Sequence, residues 1–168
     1  MLSTPADPAL YKLAQRVGQA LLARHWLLAL AESCTGGWIA KVLTDVPGSS
    51  GWFERGFVTY SNAAKVDLLA VPSAVLDADG AVSRETVNAM AAGALAHSRA
   101  EVALAVSGIA GPDGGSPAKP VGTVWLAWAV HGRPGHSRCH TFHGDREAVR
   151  RQAVAAALEG LLELLDAD

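Results

Sequence analysis

Two short, continuously apolar segments constrain the fold of this chain more than any other feature. They span residues 26–31 and 102–106. A strand with one face in solvent alternates apolar and polar residues, whereas a strand covered on both faces is apolar throughout. Both segments are far shorter than the roughly 20 apolar residues that a membrane-spanning helix requires. The pattern therefore predicts buried strands in the parallel part of an α/β sheet.

Helical and strand patterns alternate along the rest of the chain. Leu10, Leu13, Ala14, Val17 and Leu21 form one helical stripe within residues 8–24. Further helices are predicted over residues 35–44, 62–69, a segment capped by Ser83, and a last segment beginning near Asp145. Strands are predicted over residues 52–60, 122–130 and 136–142, the last two joined as a hairpin through residues 131–135. This order predicts one α/β domain over residues 1–168, with three α/β/α layers around a mixed, mostly parallel sheet and an antiparallel hairpin.

The composition of the chain limits the kinds of partner that it can bind and the cell compartments that it fits. Hydrophobic residues make up 50% of the chain and charged residues 18%, below the roughly 25% of typical globular chains, which indicates a packed protein with few charged surface residues. The net charge is -2 and no segment collects the basic residues that binding to nucleic acid requires. We expect a cytoplasmic protein without a membrane partner, because residues 1–7 lack the pattern of an export signal and only two cysteines are present. A homo-oligomer is compatible with the sequence.

A glycine-rich loop follows the second buried strand. Five of the 17 glycines lie in or just after residues 108–117, namely Gly108, Gly111, Gly114, Gly115 and Gly122. In an open α/β sheet, ligands bind in the crevice beyond the carboxyl ends of the strands. Glycines let the backbone N–H groups approach a ligand, which suits a phosphate, although a long surface turn is an equal alternative. The spacing matches neither a P-loop nor a GxGxxG motif.

A candidate nucleophile lies where the first buried strand turns into a helix, at Ser33. Amides at such a junction can stabilise an oxyanion, although Ser33 can equally be an N-cap. Tyr60 and Lys65 lie at a second junction of strand and helix, so they can meet the same crevice. A buried lysine with a lowered pKa can act as the base for a serine, whereas most lysines are solvated.

Other side chains offer rival chemistry. Cys34 is an alternative nucleophile, because a thiol at a helix N-terminus is acidified. A cluster of histidine and cysteine residues suggests a zinc site. Only His136 and His140 share one face of a strand, however, so no metal is expected. The other members of that cluster are Cys139 and His143. His25 and His97 stand alone in the sequence, and we expect structural roles for them.

Several segments together carry a resemblance to a known family. They are residues 31–37, 48–62 with Lys65, 107–115, 119–124 and 144–146. These segments closely resemble the nicotinamide mononucleotide amidases, also called the CinA C-terminal domain family, and they follow the same order along nearly the whole chain. Larger members of that family carry an additional N-terminal domain, so this chain looks like a stand-alone amidase.

The resemblance implies hydrolysis of the carboxamide of nicotinamide mononucleotide to nicotinate mononucleotide and ammonia, for recycling of pyridine nucleotides. It implies that Ser33 is the nucleophile, Lys65 the base and Tyr60 a proton relay or orienting group. It implies no cofactor and no metal. The resemblance also implies that oxyanion or substrate contacts come from Thr35, Gly36, Gly37, Asn62, Ser107, Gly108, Gly111, Gly115 and Arg146. The alternative is a non-catalytic nucleotide-binding module linked to competence or DNA damage.

Overall fold

The computed structural model describes residues 6–167, and within them helices and strands alternate along the chain. The strands are β1 (Leu28–Glu32), β2 (Phe53–Val58), β3 (Val102–Gly108), β4 (Thr123–Val130) and β5 (His136–Thr141). The helices are α1 (Pro8–Arg24), α2 (Trp38–Thr44), α3 (Asn62–Leu69), α4 (Ser73–Asp79), α5 (Arg84–Ala96) and α6 (Arg146–Asp166).

The five strands form one sheet in the order β2-β1-β3-β4-β5. Strand β1 pairs in parallel with both β2 and β3, whereas β4 runs antiparallel to β3 and to β5. The predicted mixed sheet and its hairpin are therefore confirmed, with two parallel and two antiparallel pairings. The carboxyl ends of β1, β2 and β3 lie side by side, and the segments that follow these three strands meet at one edge of the sheet.

Side chains alternate along the central strands and build a core on each face of the sheet. Leu28 and Leu30 of β1 face the cluster that contains α1, α2 and α6. Ala29 and Ala31 face the opposite cluster, which contains α5 and single residues of α3 and α4. Both faces are buried, which is why residues 28–31 of β1 and 102–106 of β3 are all apolar. The predicted three-layer α/β/α architecture is confirmed.

Element boundaries differ most at α2, which begins at Trp38 instead of residue 35. Gly36 and Gly37 have φ angles of 58° and 98°, in the left-handed region, so the chain makes a turn there before the helix starts. The sequence patterns also missed the 3₁₀ helix Ser49–Gly51 and helix α4. By contrast, α1 and α3 have the predicted bounds, and Ser83 caps α5 by accepting a hydrogen bond from the N–H of Thr86.

The two isolated histidines, for which structural roles are expected, lie at helix ends. His25 is the C-cap of α1 and His97 is the C-cap of α5, where its Nδ1 lies 2.8 Å from the carbonyl oxygen of Gly93. No helix within residues 6–167 combines the length and the apolar character needed to cross a membrane.

Candidate active site

Ser33 and Lys65 meet at the edge of the sheet where the parallel strands end. Ser33 directly follows β1, and its N–H donates to the carbonyl oxygen of Val106 on β3, 3.0 Å away. Lys65 lies in the first turn of α3, the helix that follows the neighbouring strand β2. The Nζ atom of Lys65 is 3.0 Å from Oγ of Ser33. The structure thus brings together the two residues predicted as nucleophile and base.

Lys65 is buried among neutral groups. The residue is 1% exposed, and its Nζ also lies 2.8 Å from the carbonyl oxygen of Thr59 and 3.5 Å from that of Tyr60. Burial removes water from the ammonium group and lowers the pKa of Lys65, while the nearby Cys34 has a smaller opposite effect. No carboxylate within the described residues bonds to Nζ. This environment favours the neutral amine that a general base must be.

A cavity of about 280 Å³ opens onto this pair. Its wall includes Ser107, at the end of β3, and residues of the glycine loop. The predicted site residues that line it are Ser33, Tyr60, Lys65, Ser107, Gly108, Gly111 and Arg146. Further lining residues that the sequence did not single out are Ala81, Val82 and Asp113. Most of the predicted site therefore surrounds one cavity.

Tyr60 and Arg146 form one side of the cavity. The phenolic oxygen of Tyr60 accepts a hydrogen bond from Nη2 of Arg146, at 2.9 Å, and Nη1 of Arg146 donates to the carbonyl oxygen of Gly111, at 2.8 Å. Tyr60 is 60% exposed, and its hydroxyl makes no hydrogen bond to Ser33 in the described structure. Arg146 thus ties the loop after β2 to the glycine loop, and a relay role for Tyr60 stays a prediction.

Five predicted contact residues lie outside the cavity lining. Asn62 is exposed at the first position of α3. Gly115 packs against Val121, since a Cβ atom at residue 115 would lie 2.8 Å from the backbone nitrogen of Val121. The other three are Thr35, Gly36 and Gly37, which form the turn between Cys34 and α2. Their oxyanion role stays a prediction, but the N–H of Gly36 is already bonded to the carbonyl oxygen of Ser33.

Cys34 has the opposite property to the one predicted. The expected acidification by a helix N-terminus is wrong, because burial raises the pKa of the Cys34 thiol to about 11. The residue belongs to the apolar cluster between the sheet and helices α1, α2 and α6. Since α2 begins only at Trp38, no helix N-terminus offsets the desolvation. A thiolate nucleophile at this position is therefore disfavoured at neutral pH.

The histidine and cysteine residues of the hairpin lie away from the cavity. His136, Cys139 and His140 are on β5 at the edge of the sheet, and the ring of His140 stacks on Phe142 at a centroid distance of 5.1 Å. Among residues 6–167, no three His, Cys, Asp or Glu side chains are arranged to hold a metal ion.

Two charged residues around Ser33 were not predicted as site residues. The buried carboxylate of Glu32 accepts hydrogen bonds from the hydroxyl of Thr35, at 2.6 Å, and from two backbone N–H groups of α2. The guanidinium of Arg150, on α6, donates to the carbonyl oxygens of Cys34 and Thr35, at 3.0 and 3.1 Å. A polar residue at the end of an apolar strand signals Glu32, whereas no local pattern signals Arg150.

Comparisons with known proteins agree with this fold. A protein from Pseudomonas putida named nicotinamide-nucleotide amidohydrolase PncC is 60% identical over 152 residues, which cover 90% of this chain and 94% of that protein. The protein of the same name from Escherichia coli strain K12 is 57% identical over 155 residues, which cover 92% and 94% of the two chains. A crystal structure of the competence/damage inducible protein CihA from Agrobacterium tumefaciens has a TM-score of 0.92 at 44% identity, and the match covers 98% of this chain and 99% of that one. The family model of the CinA C-terminal domain matches residues 10–165. The resemblance found in the sequence is confirmed, and the chain belongs to the CinA C-terminal domain family.

Proposed function

We propose that this protein hydrolyses the carboxamide of nicotinamide mononucleotide to nicotinate mononucleotide and ammonia, as part of pyridine-nucleotide recycling. Relatives that share 57% and 60% of its residues over nine tenths of the chain are named nicotinamide-nucleotide amidohydrolases. The observation that carries the chemistry is the 3.0 Å separation between Ser33 Oγ and Lys65 Nζ. A serine hydroxyl becomes a nucleophile when an adjacent base can take its proton.

In the first half of the reaction, neutral Lys65 accepts the proton of the Ser33 hydroxyl. The Oγ atom then attacks the carboxamide carbon, and the carbonyl oxygen becomes an oxyanion. The lowered pKa of Lys65 supports this step, because an amine that is already protonated has no lone pair to accept a proton. Backbone N–H groups near Ser33 stabilise the oxyanion by hydrogen bonds.

In the second half, the ammonium of Lys65 returns its proton to the carboxamide nitrogen. The C–N bond breaks, ammonia leaves, and an ester between Ser33 and the nicotinoyl group remains. Lys65 is then neutral again and accepts a proton from the water that attacks this ester. Hydrolysis releases nicotinate mononucleotide and restores the serine hydroxyl. One base thus serves both halves of the reaction.

Substrate binding is assigned to Arg146 and the glycine loop, which line the same cavity as Ser33 and Lys65. Arg146 and the glycine loop, including Gly108 and Gly111, would hold the ribose and phosphate groups, since Arg146 is a cation that lines the cavity. Tyr60 would orient the nucleotide or relay a proton from a position held by Arg146. Binding energy from the phosphate would then place the carboxamide carbon at Ser33.

The test is a coupled ammonia assay with purified protein and nicotinamide mononucleotide, run beside the Ser33→Ala variant. We expect steady ammonia release from the wild type and nearly none from the variant. Calorimetric titration of the same nucleotide into both proteins measures binding separately. Binding without ammonia release from the wild type would refute the amidase and support the alternative, a non-catalytic nucleotide-binding module.

A further inference from the structure

Some backbone N–H groups around Ser33 already donate hydrogen bonds to protein oxygens, and others do not. An oxyanion needs donors that are not already bonded to protein oxygens, because each N–H carries one hydrogen. Five N–H groups between residues 33 and 40 already donate to protein oxygens: those of Ser33, Gly36, Trp38, Ile39 and Ala40. Within the part of the chain that the structure describes, the N–H groups of Cys34, Thr35 and Gly37 have no such acceptor.

Arg150 fixes the peptide unit that carries one of these unengaged groups. Its Nε lies 3.0 Å from the carbonyl oxygen of Cys34, and its Nη2 lies 3.1 Å from that of Thr35. The guanidinium also covers the ring of Trp38, with its central carbon 5.4 Å from the ring centroid. Arg150 therefore holds two consecutive carbonyl groups of the turn with one rigid, planar side chain.

Because the peptide bond is planar, the contact of Arg150 with the Cys34 carbonyl also fixes the direction of the N–H of Thr35. In a trans peptide unit, the C=O of one residue and the N–H of the next point in opposite directions. The carbonyl of Cys34 points toward Arg150, so the N–H of Thr35 points away from Arg150. Ser33 and Cys34, the two residues before Thr35, line the cavity and Arg150 does not, so Arg150 holds this turn from outside the cavity.

We infer that Arg150 is a positioning residue that holds the N–H of Thr35 in place as an oxyanion-binding donor of the amidase, next to the N–H of Cys34. The inference rests on the proposed function and, among the three unengaged N–H groups, commits to the two that directly follow Ser33. The N–H of Gly36 is excluded, since the carbonyl of Ser33 occupies it. A cation bonded to the carbonyl of Cys34 also polarises that peptide unit and strengthens its N–H as a donor.

Glu32 supports the same turn from the other side. Its carboxylate accepts from the hydroxyl of Thr35 and from the N–H groups of Ile39 and Ala40. Thr35 is thus held through its side chain by Glu32 and through its carbonyl by Arg150, which leaves its N–H as its unengaged group. The donors are fixed before substrate arrives, and preorganised donors of this kind lower the barrier most.

The test replaces Arg150 by Gln and by Lys and measures ammonia release from nicotinamide mononucleotide. Loss of one oxyanion donor typically costs a factor of about 100 to 1,000 in kcat. We expect kcat to fall about 100-fold in Arg150→Gln. KM should change less than about threefold, because the planar carboxamide of the bound substrate interacts with these donors less strongly than the oxyanion of the transition state does. Arg150→Lys keeps the charge and reaches one carbonyl, so its kcat should lie between those of Gln and wild type.

The matched control is Arg151→Gln, one residue along the same helix. Arg151 pairs with Asp7, at 2.6 Å from Nε to Oδ2, and does not line the cavity. Its loss removes an arginine from α6 without touching the turn, so kcat should stay within about twofold of wild type. Equal kcat values for the Arg150 and Arg151 variants would overturn the inference, as would a rise in KM at constant kcat in Arg150→Gln.

A fluorophosphonate probe separates this inference from the proposed function. The probe phosphonylates an activated serine, and its phosphonyl oxygen occupies the oxyanion position whatever the natural substrate is. We expect Ser33 to be labelled at least about tenfold more slowly in Arg150→Gln than in Arg151→Gln. Wild-type protein that is labelled at Ser33 but releases no ammonia would refute the proposed substrate alone. Equal labelling rates in the two variants would refute the role of Arg150 alone.

Discussion

The ionisation of Lys65 gives the most direct test of the proposed mechanism. The amine contacts the Ser33 hydroxyl and two backbone carbonyls, and desolvation lowers its pKa. Only the neutral amine accepts the serine proton, so kcat/KM should follow the fraction of neutral Lys65. Below the lowered pKa, the rate should therefore rise about tenfold per pH unit and then reach a plateau.

The same ionisation should appear in the stability of the protein. Between the lowered pKa and the unfolded value of about 10.4, Lys65 is neutral in the folded protein and protonated in the unfolded chain. The unfolded state then binds more protons, so the free energy of unfolding rises with pH by about 1.4 kcal/mol per unit in this window. The contribution is fully present above the unfolded pKa and is lost as pH falls through the folded one.

Two substitutions isolate these effects. Lys65→Met removes the titrating group. The difference in unfolding free energy between wild type and this variant should therefore change by about 1.4 kcal/mol per pH unit between the lowered pKa and the unfolded value. Urea unfolding at several pH values measures it, and a difference independent of pH would refute the lowered pKa. Lys65→Arg keeps a cation that cannot become neutral, so kcat should collapse while calorimetry still detects nucleotide binding. An arginine variant with nearly full kcat would reassign the base to Tyr60 or water.

Four further outcomes are expected. Ser33→Ala should lower kcat at least about 1,000-fold and unfolding stability by only about 1 kcal/mol, since a single hydrogen bond is lost; turnover near the wild-type value would contradict the serine mechanism. Cys34→Ser should keep substantial activity and iodoacetamide should inhibit slowly, because the pKa of Cys34 is about 11; rapid inactivation that substrate prevents would favour the thiol. If Arg146 and the glycine loop bind phosphate, kcat/KM for nicotinamide riboside should be at least about 100-fold lower than kcat/KM for the mononucleotide. Equal kcat/KM values for the two substrates, both left unchanged by Arg146→Met, would exclude that role. Prolonged treatment with a strong chelator should leave kcat unchanged, and a loss that zinc restores would reopen the question of a metal site.

The central part of the site could be predicted because topology and local sequence agree. Ser33 and Lys65 are 32 positions apart, yet each lies at a predicted junction of strand and helix. Neighbouring parallel strands end at the same edge of a sheet, so polar residues after them are brought together. The glycine loop after β3 reaches the same edge for the same reason. The polar residues at two predicted junctions of strand and helix could therefore be expected to meet in one crevice.

Contacts made by distant helices could not be predicted in this way. Arg150 reaches Cys34 across 116 positions of sequence, and its place depends on how α6 packs on the sheet. Helical periodicity marks the buried side of α6 but does not say which loop an arginine at its margin will meet. The turn at Gly36 and Gly37 was also missed as a boundary, because glycine tolerates both helical and left-handed backbone angles.

The alternation of β1 explains how a carboxylate can precede the proposed nucleophile without disabling the proposed base. Successive side chains of a strand point to opposite faces, and Glu32 follows Leu28 and Leu30 toward α2. Ser33 points to the other face, where Lys65 of α3 lies. Had the carboxylate pointed toward Lys65, an ion pair would have favoured the ammonium and raised the pKa of the lysine. By accepting hydrogen bonds from Thr35 and α2 instead, Glu32 fixes the turn after Ser33 and leaves the amine of Lys65 free to be neutral.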